Sequence, residues 1–415
     1  MDNPAPPVRP TWPVPALVLT VALLAARTLA IPILADPTGA ALPDSLHLQT
    51  PLLYLLLAPL FSSWDAITLL SMERLKGFLW GMALLYLLWR LWAARRGNLT
   101  PMRRAARELR VALGSVAGFV LFVLAGILWH RPMLALAGAG PDQLVADLHS
   151  HTNVSHDVRG TLMRNYDVAA SRRWHARAGF DAFFVTDHNT TAGWKADRGS
   201  AGLRPAACPG IEVSAWRAHI VLLGDTTDVA QSQYDGSLPR VLQLLRDSRG
   251  RYGALAVASL PEYNRAFWPV LDSLVAAGVA GFEIVNASPK AADFPLAHRD
   301  SLIRTARRHD LLLAGVSDGH GWGATSLAWM LIDLPGWRSL PDPCSALLDR
   351  LSHPDDGIRI VERHHLTPES RWPWLLTPLG ALWEGWRSQG TGLMLGWLVW
   401  IWLVTAVSRA ISHKP

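Results

Sequence analysis

Two apolar runs without a single charge dominate the hydropathy pattern, Val111–Trp129 (VALGSVAGFVLFVLAGILW) and Ser388–Ser408 (SQGTGLMLGWLVWIWLVTAVS). Each matches the roughly 20 residues that cross a bilayer core. A third run, Pro13–Ala35, is interrupted only by Arg27. It is too long for a cleavable signal peptide and further apolar runs follow it, so it reads as an anchor. Two weaker runs lie between, Pro51–Leu70 with Asp65 inside it and Gly77–Ala94 with Arg90. Both are expected to span, with the ionisable group turned toward neighbouring helices; a membrane-associated hairpin or buried soluble helices is the other reading. The expected organisation is an N-terminal membrane portion over 1–130 with about four helices (13–35, 51–70, 77–94, 111–129), a soluble portion over 131–387, and a C-terminal helix with a short tail over 388–415.

Between 131 and 387 the pattern changes to short β-rich runs separated by helix-like segments. The runs are QLVADLHSH, FDAFFVTDHN, CPGIEVS, HIVLLGD, GALAVASLP, GFEIVNAS, LLLAGVSDGH and TSLAWMLIDL. Most are apolar on both faces, as buried parallel strands are. Helices are expected near Tyr166–Ala178, Ser237–Arg246, Pro269–Ala277 and Leu296–His309. Repeated β-then-α predicts an α/β barrel or a doubly wound sheet, and the polar positions favour the barrel. His149 and His151 follow the first strand, Asp187 and His188 the second, Glu212 the third, and Asp318 and His320 the penultimate one. Polar residues at the C-terminal ends of barrel strands are where active sites form.

Composition sharpens this division. Of 415 residues, 50% are hydrophobic and only 17% charged, where a soluble protein carries about 25% charged. That excludes a disordered chain, and Trp, present 20 times, accumulates at membrane interfaces. The net charge of +6 traces to one place: Arg90, Arg95, Arg96, Arg103, Arg104, Arg107 and Arg110 stand against the single acid Glu108. A short Arg-rich link between apolar runs stays cytoplasmic. The Val111–Trp129 helix then leads outward, the 131–387 portion is extracytoplasmic, and the last helix returns Arg409 and Lys414 to the inside of a multi-pass inner-membrane protein. No nucleic-acid partner is expected. Cys208 and Cys344 are the only cysteines; one disulfide and two unpaired structural thiols both remain open.

The chemistry in the soluble portion is that of a metal cluster. In DLHSHT, His149 and His151 lie two apart on an extended chain, so both leave the same face and can converge on one ion. Imidazole with carboxylate suits zinc, manganese or iron. GxxxxGK[ST] and HExxH are missing from the sequence, which removes P-loop NTPases and zincins.

From Asp147 to Leu334 the chain resembles the PHP family, the polymerase and histidinol phosphatase domain. The resemblance is carried by DLHSHT (147–152), VTDHN (185–189), GIE (210–212) with HIVLLG (219–224), FEIVN (282–286) and SDGH (317–320), in the family's order. It implies a distorted (β/α)7 barrel, here flanked by transmembrane helices, holding two or three divalent ions (Zn, Mn or Fe) and hydrolysing phosphoesters. The implied ligands are His149, His151, Asp157 with His156 as the alternative, His188, Glu212, His219, Asp318 and His320. Glu212 would bridge two ions, a metal-bound hydroxide would be the nucleophile, and Asp318 would combine ligation with proton handling. The expected substrate is a phosphorylated small molecule or lipid; the oligomeric state is left open.

One position departs from the family. VASLPEYN puts Leu260 where a ligand histidine normally precedes the proline, so one metal site has lost a ligand or borrows one, with Glu262, Asn264 or a water as substitutes. The rival expectation is thus a catalytically impaired sensor or assembly module. A third, a transport or lipid-handling unit with the barrel as accessory, lacks any broken-helix pair or internal repeat. Around the motifs, Asp187 could orient His188 or cap the following loop. Arg159, Arg172 and Arg173 could grip a phosphate or lie on the surface. Asn286 is expected to bond backbone, His175 to pack, and His364 and His365 to be surface residues.

Overall fold

The computed structural model describes residues 13–94, 100–197, 202–224, 229–261 and 268–412. Arg95, Arg96, Glu262, Asn264 and Lys414 fall outside the described residues.

Nine strands between residues 143 and 363 carry the site: β1 (Gln143–Ser150), β2 (Ala182–Val185), β3 (Ala206–Ala215), β4 (Ala218–Leu223), β5 (Leu255–Ala258), β6 (Gly281–Asn286), β7 (Leu312–Val316), β8 (Ala328–Asp333) and β9 (Ile358–Arg363). With the short strand Leu34–Ala35 they form one curled ten-stranded sheet in the order Leu34–Ala35, β9, β8, β1, β2, β3, β4, β5, β6, β7. The sheet turns back on itself: the Asp318 N–H donates to the His149 carbonyl (2.9 Å) and the His151 N–H to the Gly319 carbonyl (3.0 Å), tying the end of β1 to the segment after β7.

The expected run of parallel strands holds for β1–β2–β3 and for β5–β6–β7. It fails at β4, which is antiparallel to both β3 and β5, and at β8, antiparallel to β1 and β9. The cause is local. Only Trp216 and Arg217 separate β3 from β4, and both adopt positive φ (28° and 60°), the backbone of a two-residue hairpin. A parallel return needs a crossover of a dozen or more residues.

The helices lie close to expectation: Val168–Ala178, Leu238–Tyr252, Leu271–Ala276 and Leu296–His309. The first shows how sequence sets its ends. Asp167 accepts the Ala170 N–H at the start, and Gly179 at φ 88° takes the left-handed conformation that stops it. Strand residues Leu144, Ala146 and Leu148 enter the main core, whereas Val145 packs with Trp174 and Trp329 on the other side of the sheet. Cys208 on β3 and Cys344, at the start of helix Cys344–Leu351, form a disulfide that closes a 136-residue separation.

The apolar portion differs from expectation in its breaks. The 13–35 run forms helix Val14–Thr28, after which Leu34–Ala35 pairs with β9. The 51–70 run divides at Leu57 into Leu52–Leu56 and Ala58–Thr68. Eleven residues rise only about 17 Å, short of a ~30 Å core. The break is compensated by burial: Asp65 is 1% exposed and takes Arg131 and Arg363. The 77–94 run belongs to helix Met72–Ala94, which antedates the run by five polar-rich positions and joins helix Pro101–Leu128 through Arg90 and Glu108, bonded at two 2.7 Å contacts. By length and composition, Met102–Leu128 and Thr391–Ile411 are the two helices among the described residues that could cross a membrane.

Candidate metal centre

The end of β1, the middle of β3, the start of β4, the loops after β2 and β7 and the short helix His156–Arg159 bring the polar residues to one point. His149 Nε2 and His151 Nε2 stand 3.0 Å apart, and Glu212 Oε2 lies 3.1 Å from the first and 3.2 Å from the second. Asp318 Oδ1 is 3.1 Å from His151 and 3.5 Å from His149. Glu212 continues to His188 Nδ1 (3.2 Å, from Oε2) and to His219 Nδ1 (2.7 Å, from Oε1). On the outer side Asp157 Oδ2 meets His188 Nε2 at 3.2 Å and His320 Nε2 at 2.7 Å. Three overlapping ligand sets result: His149, His151 and Asp318; His188, Glu212 and His219; His151, Asp157, His188 and His320. All eight residues named from the sequence are therefore neighbours. His156 is exposed and belongs to none of the three sets, its ring 4.8 Å from that of His188.

These groups fit divalent cations. Two imidazole nitrogens at 3.0 Å have no favourable arrangement when both present lone pairs. Ligand atoms around a tetrahedral zinc, each at about 2.1 Å, lie about 3.4 Å apart, close to the spacings here. Electrostatics agree. Burial pushes His149 down, but Glu212, Asp318 and Glu283 together outweigh it and hold its pKa well above the usual value. His151 is likewise pushed down by burial and raised overall, to about 10, by Asp318 and Glu212. Against burial, which raises them, neighbouring histidines hold the Glu212, Asp157 and Asp318 carboxyls well below the usual range. Buried carboxylates that stabilise positive charge on neighbouring imidazoles would equally stabilise a divalent cation that takes the place of those protons. Asp318 takes φ 46° and Asn189, just after His188, φ 56°, left-handed positions that side chains other than glycine occupy rarely and that cluster at functional sites.

The supporting residues differ in part from expectation. Asp187 does not reach His188: its carboxylate accepts the Thr152 N–H (2.6 Å) and hydroxyl (2.8 Å), fastening the loop after β1. Arg172 is buried against Asp197 and donates to the Pro205 carbonyl, and Arg173 lies over the Trp322 ring, so neither is aimed at a phosphate. Arg159 is exposed on the short helix His156–Arg159. His175 packs as expected and also bonds Asp147 (3.0 Å), whose other oxygen accepts the Ser317 N–H (3.1 Å) at the base of the SDGH loop. His364 is half-buried beside Glu384, and the His365 side chain is 9% exposed, so neither is a surface residue; burial lowers both pKa values. Leu260 is buried in the main core.

The residue missed from the sequence is Glu283. Its Oε1 accepts from His149 Nδ1 at 2.7 Å, and its Oε2 accepts from the Ser259 hydroxyl (2.6 Å) and the Asn286 amide (2.9 Å). Asn286 thus bonds a carboxylate as well as backbone, through its Oδ1 and the Ser288 N–H. With Nδ1 donating to Glu283, His149 presents the Nε2 lone pair to the cluster, the arrangement that orients ligand histidines. An acid in the middle of the apolar run GFEIVN was the available signal, because an acid there must have a buried partner. Glu283→Gln is expected to weaken metal binding about 10- to 100-fold, read by competition with a chromogenic chelator; unchanged affinity would remove Glu283 from this role.

No family model matches the chain, and neither does any curated protein. Among solved structures it is similar to a protein from Bifidobacterium adolescentis named as a candidate metal-dependent phosphoesterase (18% identity, 43% of this chain and 88% of that one, TM-score 0.33). It is also similar to PsfC from Pseudomonas syringae (18% identity, 58% and 97%, TM-score 0.36). A third is an amidohydrolase from Chromobacterium violaceum solved with sulfate and no metal (20% identity, 47% and 95%, TM-score 0.30).

Proposed function

We propose that this chain is a membrane-anchored, metal-dependent phosphoesterase of the PHP type. The observation that carries the reading is the convergence of His149, His151, Asp157, His188, Glu212, His219, Asp318 and His320 into three overlapping ligand sets. His149, His151 and Asp318 would hold one ion, His188, Glu212 and His219 a second, and Asp157 with His320 a third. Bound there, such ions lower the pKa of water to about 7 and neutralise charge on a phosphoryl group. The chain's own contribution is positional. Glu212 spans the first two sets with its two oxygens. Asp318 Oδ1, 3.1 Å from His151 and 3.6 Å from His320, would combine ligation with holding these two imidazoles, through which a proton could pass.

Met102–Leu128 and Thr391–Ile411 supply the proposed anchors on either side of the soluble portion. The arginines of helix Pro101–Leu128 precede its apolar stretch and favour an extracytoplasmic site. The Cys208–Cys344 disulfide fits an oxidising compartment.

The full chain, purified in detergent and reconstituted with zinc or manganese, is expected to retain metal in at least stoichiometric amount and to release phosphate or alcohol from a phosphoester panel, with loss on chelation. A chain that retains no metal would overturn the reading. The buried Leu260 favours a second reading, a barrel impaired in turnover. Leu260→His separates them: a large gain in turnover supports impairment, whereas little gain over an already active protein supports the enzyme.

A further inference from the structure

Building on the proposed phosphoesterase reading, we propose that the substrate is an amphiphile, a phosphate ester whose alkyl chain lies between the membrane-side helices while its phosphate meets the metal cluster. The geometry rests on one cavity of about 1070 Å³. Its polar end is formed by His188, Glu212, His219, Asp318 and His320. Its apolar lining includes Leu70, Leu75, Leu79, Phe119 and Val123. Ligand pockets typically enclose about 300–1,000 Å³, so the space far exceeds a phosphate and a small alcohol.

The apolar wall comes from the part of the chain with the strongest membrane character. Phe119, Val123, Gly126 and Ile127 repeat at intervals of four, three and one, a single face of helix Pro101–Leu128. That face runs about 12 Å along the helix from Ile127 to Phe119. The end of the helix is pressed onto the loop that carries His320. A side chain at Gly323 would begin 2.9 Å from the Ile127 backbone, and one at Gly126 would begin 2.5 Å from the Trp64 ring. The cluster is therefore fixed at the end of a helix long enough to span, and the cavity descends from it along that helix. A soluble phosphoester would leave this wall wetted. A chain entering from a bilayer would cover it, gaining up to roughly fourfold in affinity per buried methylene.

The test compares ethyl, hexyl and decyl phosphate with the full metal-loaded chain, reading both phosphate release and binding by titration calorimetry. The decyl ester is expected to exceed the ethyl ester at least about tenfold in kcat/KM and in affinity. Val123→Trp, which projects into the apolar end, should reduce that decyl-to-ethyl ratio severalfold, and Val123→Phe repeats the obstruction with a smaller side chain; retained metal content certifies folding. Equal handling of the three esters, with no effect of either substitution on the ratio, would overturn the amphiphile and leave the phosphoesterase standing. Chain-length-dependent binding without release of phosphate from any ester would support the amphiphile site and overturn the hydrolytic reading. Binding of neither ethyl nor decyl phosphate would overturn the amphiphile proposal.

Discussion

Asp65→Ala is expected to destabilise the folded chain by about 3–5 kcal/mol, because it strips two buried arginines of their shared counter-charge. Asp65 Oδ1 accepts from Arg131 (2.6 Å) and the Thr325 hydroxyl (3.1 Å), and its Oδ2 accepts from Arg363 (2.9 Å) and the Tyr54 hydroxyl (2.9 Å). The Arg131 side chain is completely buried and that of Arg363 is 11% exposed, so neither charge can turn to water. The cost is chiefly that of two unpaired buried cations, and the triple change Asp65→Ala, Arg131→Met, Arg363→Leu should recover much of it, since a buried ion cluster replaced whole by apolar groups is often neutral. Thermal unfolding of the detergent-solubilised chain reads both. A loss below about 1 kcal/mol for Asp65→Ala would show that the cluster is hydrated. The effect should extend to the site, because Thr325 closes the loop that begins at Asp318.

Asp65 also marks where sequence reading stops. Within an apolar run it reads either as an ionisable group in a span turned toward other helices or as part of a hairpin or buried helix, and its true partners lie 66 and 298 residues away, where local sequence records nothing of such contacts. By contrast, most of the candidate ligands are legible from their places in and after apolar strands, whereas Asp157 and His219 are reached only through the family resemblance. Histidines and acids clustered in and just after apolar strands are costly there unless they meet one another, and the structure does bring His149, His188, Glu212 and Asp318 into overlapping ligand sets from segments scattered along the chain. Strand direction was half legible. The two-residue gap between Ala215 and Ala218 already forbids a parallel crossover, although the apolar character of β3 and β4 resembles that of buried parallel strands. Glu283 was hidden for a different reason: its place is set by a partner on β1, visible only after the strands are arranged around the cluster.

Glu212→Gln is the substitution expected to cost the most activity. Each oxygen of this carboxylate faces imidazole, Oε1 at 2.7 Å from His219, and Oε2 at 3.1 Å from His149 and 3.2 Å from both His151 and His188. Glutamine preserves the volume but removes the negative charge and exchanges one acceptor oxygen for an NH₂ donor, which cannot ligate a cation and would point its hydrogens at the site meant for one. Because Glu212 belongs to the second ligand set and closes the first, both should weaken together, so at least one metal equivalent per chain should be lost. On the proposed phosphoesterase reading, turnover should fall at least about a thousandfold. The comparison with Glu283→Gln is diagnostic. That change removes an orienting bond to His149 and should be offset by raising the metal concentration, whereas Glu212→Gln should not be rescued, because the ligand atom itself is gone. Full metal content and turnover in Glu212→Gln would mean that the carboxylate is a spectator and that the cluster is held by the histidines and the two aspartates alone.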